Sequence, residues 1–147
     1  MFKVKKVDEV KRLLQSMKKN RKEIFAQTID SVGFVLSEDV YAKFDVPHFS
    51  RSTVDGYAVF HKNVALASST VPVLLEKAGS VEMGTDSKLE INNNTIYVPT
   101  GGYLPKGADS VVMIENTEEL GSEIIIYQAP SIFENVLKKA SDVQTGD

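Results

Sequence analysis

A chain of 147 residues, 42% apolar and 25% charged, has the make-up of a globular protein and is long enough to bury about 70% of its unfolded surface without staples. Its net charge of −3 argues against a nucleic-acid footprint over the whole chain, and zero Cys excludes a disulfide scaffold, a Cys-ligated zinc site and a thiol nucleophile. Two His, His48 and His61, leave little for a His-rich metal site, no apolar run reaches the roughly 18 residues of a membrane span, and the basic N-terminus lacks the apolar stretch of a signal peptide. The expectation is a cytoplasmic protein with no nucleic-acid and no membrane partner.

Val7, Val10, Leu13, Leu14 and Met17 recur at helical spacing and predict an amphipathic helix from about Val7 to Lys19. Asp8 and Glu9 in the first turn and Lys18 and Lys19 in the last suit the helix dipole, and Asn20 is a plausible stop. The basic residues crowding this region read as a solvated helix face, since no aromatics alternate with them. A short second helix is expected around Thr28 to Val32, ended by Gly33.

From Pro47 to about Tyr127 the pattern turns to strand. Tyr57 to Phe60, Val71 to Leu75, Thr95 to Val98, Ser110 to Ile114 and Glu123 to Tyr127 are short and rich in β-branched or aromatic residues. Turn clusters at Ala78-Gly79-Ser80, Asn92-Asn93-Asn94, Lys106-Gly107 and Leu120-Gly121-Ser122 separate them. Such spacing suggests a small barrel-like or curled sheet. The fold class is α+β, mostly β: an N-terminal helical or extended domain with an inserted small barrel-like curled β-sheet domain. The sequence has no internal repeat and no low-complexity tract.

Two stretches carry the chemistry. In Ser50-Arg51-Ser52-Thr53-Val54-Asp55-Gly56-Tyr57-Ala58, the Asp-Gly dipeptide is a hairpin-turn signal, because a type I′ turn needs φ > 0 at both central positions. Ser52 is placed to cap or hold the loop, and an exposed Asp55 carboxylate there could ligate a hard cation such as Mg²⁺. In Val98-Pro99-Thr100-Gly101-Gly102-Tyr103-Leu104-Pro105-Lys106-Gly107-Ala108-Asp109, two glycines after a strand could expose backbone N–H groups to an oxyanion, with the Thr100 hydroxyl beside them. A plain β-turn is the competing reading. Leu104 to Gly107 fits a structural turn, and Glu115, at the end of an apolar strand, fits a structural role. His48, Ser50 and Ser52 invite a Ser–His hydrolase reading, which fails for want of a nucleophile elbow, an orienting acid and an oxyanion-hole signature.

As an ordered pair, these stretches resemble the MoeA family, the molybdopterin molybdenumtransferases, whose animal relative is gephyrin. The family pattern is Ser-x-x-Asp-Gly-Tyr-Ala, then a Thr-Gly loop with Leu-Pro-x-Gly-Ala-Asp and a Val-Val-Met run ending in Glu; here it spans Ser52 to Glu115. The resemblance covers nearly the whole chain and implies a discontinuous domain I of residues 1–46 plus 128–147, incomplete at its C-terminal end, with residues 47–127 inserted as domain II. It implies a reaction in which molybdate is inserted into adenylylated molybdopterin with release of AMP, assisted by Mg²⁺, in a homodimer. Asp55 and Thr100 would be catalytic, and Ser52, Gly101, Gly102 and Asp142 would bind substrate. The pattern departs at Leu137, where many members carry Arg, at Ala140, where they carry Gly, and at Gly102, often Ala. The family's main pterin site lies on a third domain, so a chain stopping at Asp147 is expected to be an inactive fragment with no bound cofactor. The alternative is a non-catalytic scaffold or assembly module of the same fold.

Overall fold

The computed structural model describes residues 4–17, 22–85 and 88–147. Contacts divide the chain into two compact units, residues 1–40 and 41–147. In the first unit the expected helix forms as α1, Val7–Ser16. Glu9 reaches back to accept the Lys6 N–H at 3.3 Å, satisfying one of the free amides at the helix start. The helix stops earlier than expected, because Met17 is already extended; Lys18, Lys19 and Asn20 lie outside the described residues. Its apolar stripe, Val7, Val10, Leu13, Leu14 and Met17, remains exposed. The second helix is reduced to one 3-10 turn, Thr28–Asp30, followed by Gly33 at φ +89°. A five-residue segment without packing cannot offset the cost of helix nucleation.

The second unit carries β1 (Arg51–Ser52), β2 (Gly56–Val59), β3 (Val73–Ser80), β4 (Asn94–Val98), β5 (Ser110–Met113), β6 (Thr117–Leu120), β7 (Glu123–Ile126) and β8 (Val136–Leu137). Six of them form a curled sheet of order β5-β2-β4-β3-β7-β6, in which β3 and β4 run parallel and the other neighbours antiparallel. All five expected strands are present. β3 begins after Pro72, which has no N–H for the ladder, and continues through Ala78-Gly79-Ser80, the stretch expected to be a turn. A register shift between Lys77 and Gly79, with Gly79 at φ +153°, absorbs the bend. β6 was not foreseen, because Glu118 and Glu119 lower its strand signal. It is an edge strand whose Glu118 and Glu119 are exposed, and their charge discourages further pairing.

All four residues of β2 are buried, and alternate ones serve opposite faces. Tyr57 and Val59 join Leu75, Val112, Ile124 and Ile126, while Ala58 joins Ile96, Val98 and Val111. Each such fully buried Val or Ile contributes about 1.5–3 kcal/mol relative to exposure. The free edge of β5 is closed by the segment after β7: Val111 N–H donates to Glu134 O at 3.1 Å, and the Asn135 side-chain amide donates to Val111 O at 2.9 Å.

The end of the chain returns along its earlier part. β8 pairs with β1, Val46 bridges Val143, and Asp45 accepts both the Thr145 N–H at 2.9 Å and its hydroxyl at 2.8 Å. Lys139 adds an ion pair to Asp45 at 3.2 Å. These contacts, the Thr145 N–H first, hold the Asp45 carboxyl down to about 2.

Candidate functional site

The two motifs meet at a pair of loops. From the first, β1 ends at Ser52, which is buried; its hydroxyl donates to Val54 O at 2.6 Å and accepts the Val54 N–H at 3.2 Å, folding the loop back on itself. Across from it, Ser52 N–H donates to Gly102 O at 3.0 Å and Gly101 N–H donates to Ser52 O at 2.8 Å. This short ladder fixes the Thr-Gly-Gly loop against the Ser-x-x-Asp loop. Asp55 then accepts the Thr100 N–H at 2.7 Å and the Thr100 hydroxyl at 3.0 Å, both on Oδ1, although the residues are 45 apart in sequence. Both are exposed. Asp55 thereby orients Thr100 so that its hydroxyl oxygen keeps its lone pairs for a ligand.

Two readings of the local sequence are corrected here. Asp55-Gly56 is not a type I′ hairpin turn: neither residue has positive φ, and Gly56 is the first residue of β2, paired with Val98 and Met113. Glycine is required there for space, since an added Cβ would lie 2.2 Å from Val112 O. Nor do the glycines of the second loop offer free amides. Gly101 N–H is spent on Ser52 O, and Gly102 N–H on Pro99 O at 2.8 Å. Gly101 is needed for its φ of +81°, and a Cβ on Gly102 would come within 2.9 Å of Pro99 O.

The site residues named from sequence thus divide. Ser52, Asp55, Thr100, Gly101 and Gly102 are gathered in one loop cluster. Asp142 sits on the returning segment, where its N–H donates to Val46 O and its carboxylate accepts the Ser141 hydroxyl at 3.4 Å; it shares no hydrogen bond with the other five among the described residues. The turn expected over Leu104 to Gly107 lies one residue later, Pro105 to Ala108, closed by Ala108 N–H to Pro105 O, and Glu115 lies exposed in a 3-10 turn after β5. Ser50 accepts Lys139 N–H, and His48 packs edge-on against Phe44, so neither is paired for nucleophilic chemistry.

Sequence reasoning missed His61. Its ring Nδ1 lies 2.5 Å from Asp109 Oδ2 and its N–H donates to Asp109 Oδ1, which pins a 3-10 turn, His61–Val64, to the start of β5. A further polar cluster, Tyr57, Lys77 and Glu119, links β2, β3 and β6. Burial first raises the Tyr57 hydroxyl, and the hydrogen bond from Lys77 at 2.9 Å first lowers the Glu119 carboxyl. For a divalent cation the fit is partial. Asp55 is the one carboxylate of the loop cluster, its Oδ1 already takes two donors, and the described residues contain no group of three or more acidic or His side chains able to enclose an ion. One protein oxygen with the remaining positions filled by water and substrate phosphate is the pattern Mg²⁺ accepts.

Fold and site together define a curled β domain carrying a polar site built from two loops. Residues 5–147 match the model of the MoeA N-terminal region (domain I and II). The chain is 32% identical over 119 residues to a molybdopterin molybdenumtransferase of Staphylococcus epidermidis, covering 80% of this chain and 28% of that one. Two crystal structures of the molybdopterin biosynthesis moeA protein from Pyrococcus horikoshii superpose at TM-scores of 0.74 and 0.72. Their identities are 34% and 33%, covering 98% and 81% of this chain and 37% and 32% of theirs. The chain belongs to the MoeA N-terminal region family, and it spans about a third of the length of the relatives it matches.

Proposed function

We propose that this chain is the N-terminal part of a molybdopterin molybdenumtransferase of molybdenum cofactor biosynthesis, in which molybdate is inserted into adenylylated molybdopterin and AMP is released. The observation that carries the reading is the contact between Asp55 and Thr100. It joins the two motifs and leaves an oriented hydroxyl and an open carboxylate oxygen at the surface. In this reading Asp55 positions Thr100 and contributes one ligand to Mg²⁺, which would neutralise phosphate charge when bound. Ser52, Gly101 and Gly102 act by holding the loops. Catalysis needs a pre-organised pocket, so these loops serve a cleft completed by other domains, within a homodimer in the cytoplasm. No described helix is long and apolar enough to cross a membrane.

The test is cofactor synthesis from adenylylated molybdopterin and molybdate, with this chain mixed with a chain carrying the remaining domains. Asp55→Ala and Thr100→Ala are each expected to lower restored activity by about a hundredfold, the size of effect that misplacing a reacting group produces. Full activity in both variants would refute a catalytic role and leave the region as a scaffold.

A further inference from the structure

Hydrogen bonds tie the Thr-Gly-Gly loop to the Ser-x-x-Asp loop through the Gly101 N–H, the Gly102 carbonyl and both donors of Thr100. None of them packs the side of Gly101 where any other residue would carry a side chain. At φ +81° a glycine is needed there, and the freedom that permits this φ also leaves the neighbouring Thr100 free to move unless something else holds the loop. The structure fills that side from another segment. The Met83 methyl lies 3.7 Å from the position a Gly101 Cβ would take, and chain neighbours apart, no other atom of the described residues comes within 4 Å of it.

Local structure delivers Met83 to this place. β3 ends at Ser80, and the next residue, Val81, is buried and donates its N–H to Tyr97 O at 2.8 Å, on the strand that leads into Pro99 and Thr100. Glu82 to Thr85 then reverses the chain: Glu82 O accepts the Thr85 N–H at 3.4 Å and the Thr85 hydroxyl at 2.9 Å, with Gly84 at φ +78° in the third position, as a type II turn requires. Met83, in the second position, is 62% exposed. An exposed methionine means little by itself. This one lays a flexible thioether on the bare face of the glycine that follows Thr100, which is the kind of gap an unbranched side chain fills well.

We propose that Met83 is a positioning residue of the loop cluster: it packs on Gly101 and so keeps Thr100 in its contact with Asp55. This rests on the reading of the site given above, and it adds to that site a third segment, the turn after β3.

The test follows the Thr100 amide of the 147-residue chain by nuclear magnetic resonance, through its shift and its exchange with water, in the unaltered chain and in Met83→Ala, Met83→Leu and Asp55→Ala. Asp55→Ala removes the acceptor and sets the fast limit of exchange. Met83→Ala should move the Thr100 and Gly101 resonances and speed Thr100 exchange about threefold or more toward that limit, as a local opening does. The amides of β2 and β4 and the melting curve should stay unchanged, since the altered side chain is exposed. Met83→Leu, which conserves volume, should match the unaltered chain. In the reconstituted synthesis, Met83→Ala should lower kcat about tenfold with KM little changed, the pattern of a misplaced group rather than of lost binding. An unmoved Thr100 amide in Met83→Ala, or a change shared by the sheet amides, overturns the proposal. So does Met83→Leu behaving like Met83→Ala, or full kcat in Met83→Ala where Thr100→Ala is impaired. Failure of the underlying reading shows separately: synthesis then ignores Asp55→Ala and Thr100→Ala, while Thr100 exchange still depends on Met83.

Discussion

Replacing Gly56 with Ala separates two explanations of the Asp-Gly pair. If the glycine served only a left-handed turn, the substitution would cost about 1–2 kcal/mol of backbone strain. In the structure Gly56 lies inside the sheet, and the new methyl would sit 2.2 Å from Val112 O and 2.8 Å from a Val111 methyl. The nearest atom is backbone of the neighbouring strand, so β2 and β5 must separate. Overpacking of this kind costs about 1–3 kcal/mol, and each ladder hydrogen bond weakened between β2 and β5 adds about 1 kcal/mol. A total of roughly 3–5 kcal/mol would remove much of the 5–15 kcal/mol typical of a domain. Gly121 is the control. It has φ +63° and open space around it, so Gly121→Ala carries the strain without the clash. Urea unfolding followed by circular dichroism should give a loss at Gly56 of at least about twice that at Gly121. Equal losses would refute the steric argument and restore the turn explanation.

Two further outcomes are expected from the returning segment. Ala140 stands at φ +60°, where Gly is unstrained; relief of about 1–2 kcal/mol, offset by the greater freedom of unfolded Gly and a partly buried methyl, leaves Ala140→Gly about 0.5 kcal/mol more stable. The melting temperature should rise by about 1–2 °C, and a fall would contradict the strain. Asp45 is held down to about 2 from an ordinary 3.8, so its contribution to stability is complete above pH 3.8 and is lost as pH falls through 2. The stability gap between the unaltered chain and Asp45→Asn should therefore narrow between pH 4 and 2, and a gap constant over that range would rule the linkage out.

Much was legible in the residues themselves, because local chemistry decided it. The period of Val7, Val10 and Leu14 marks α1, and β-branched runs at 95–98, 110–113 and 123–126 mark strands whatever their neighbours. The pairing of an Asp-Gly-Tyr-Ala motif with a Thr-Gly-Gly motif identified the family. What the local pattern misjudged depended on partners distant in sequence. Glu118 and Glu119 belong to a strand because β7 offers its free edge, and Ala78 to Ser80 extend β3 because β4 lies alongside. Gly56 is glycine because of Val112, 56 residues on, and the amides of Gly101 and Gly102 are occupied by acceptors that only folding brings near or aligns. Residue type and periodicity therefore specified the elements and the two loops. Tertiary structure alone decided which donors remain free, since a hydrogen bond is committed only when its partner arrives, and that commitment takes the amides of Gly101 and Gly102 out of the site.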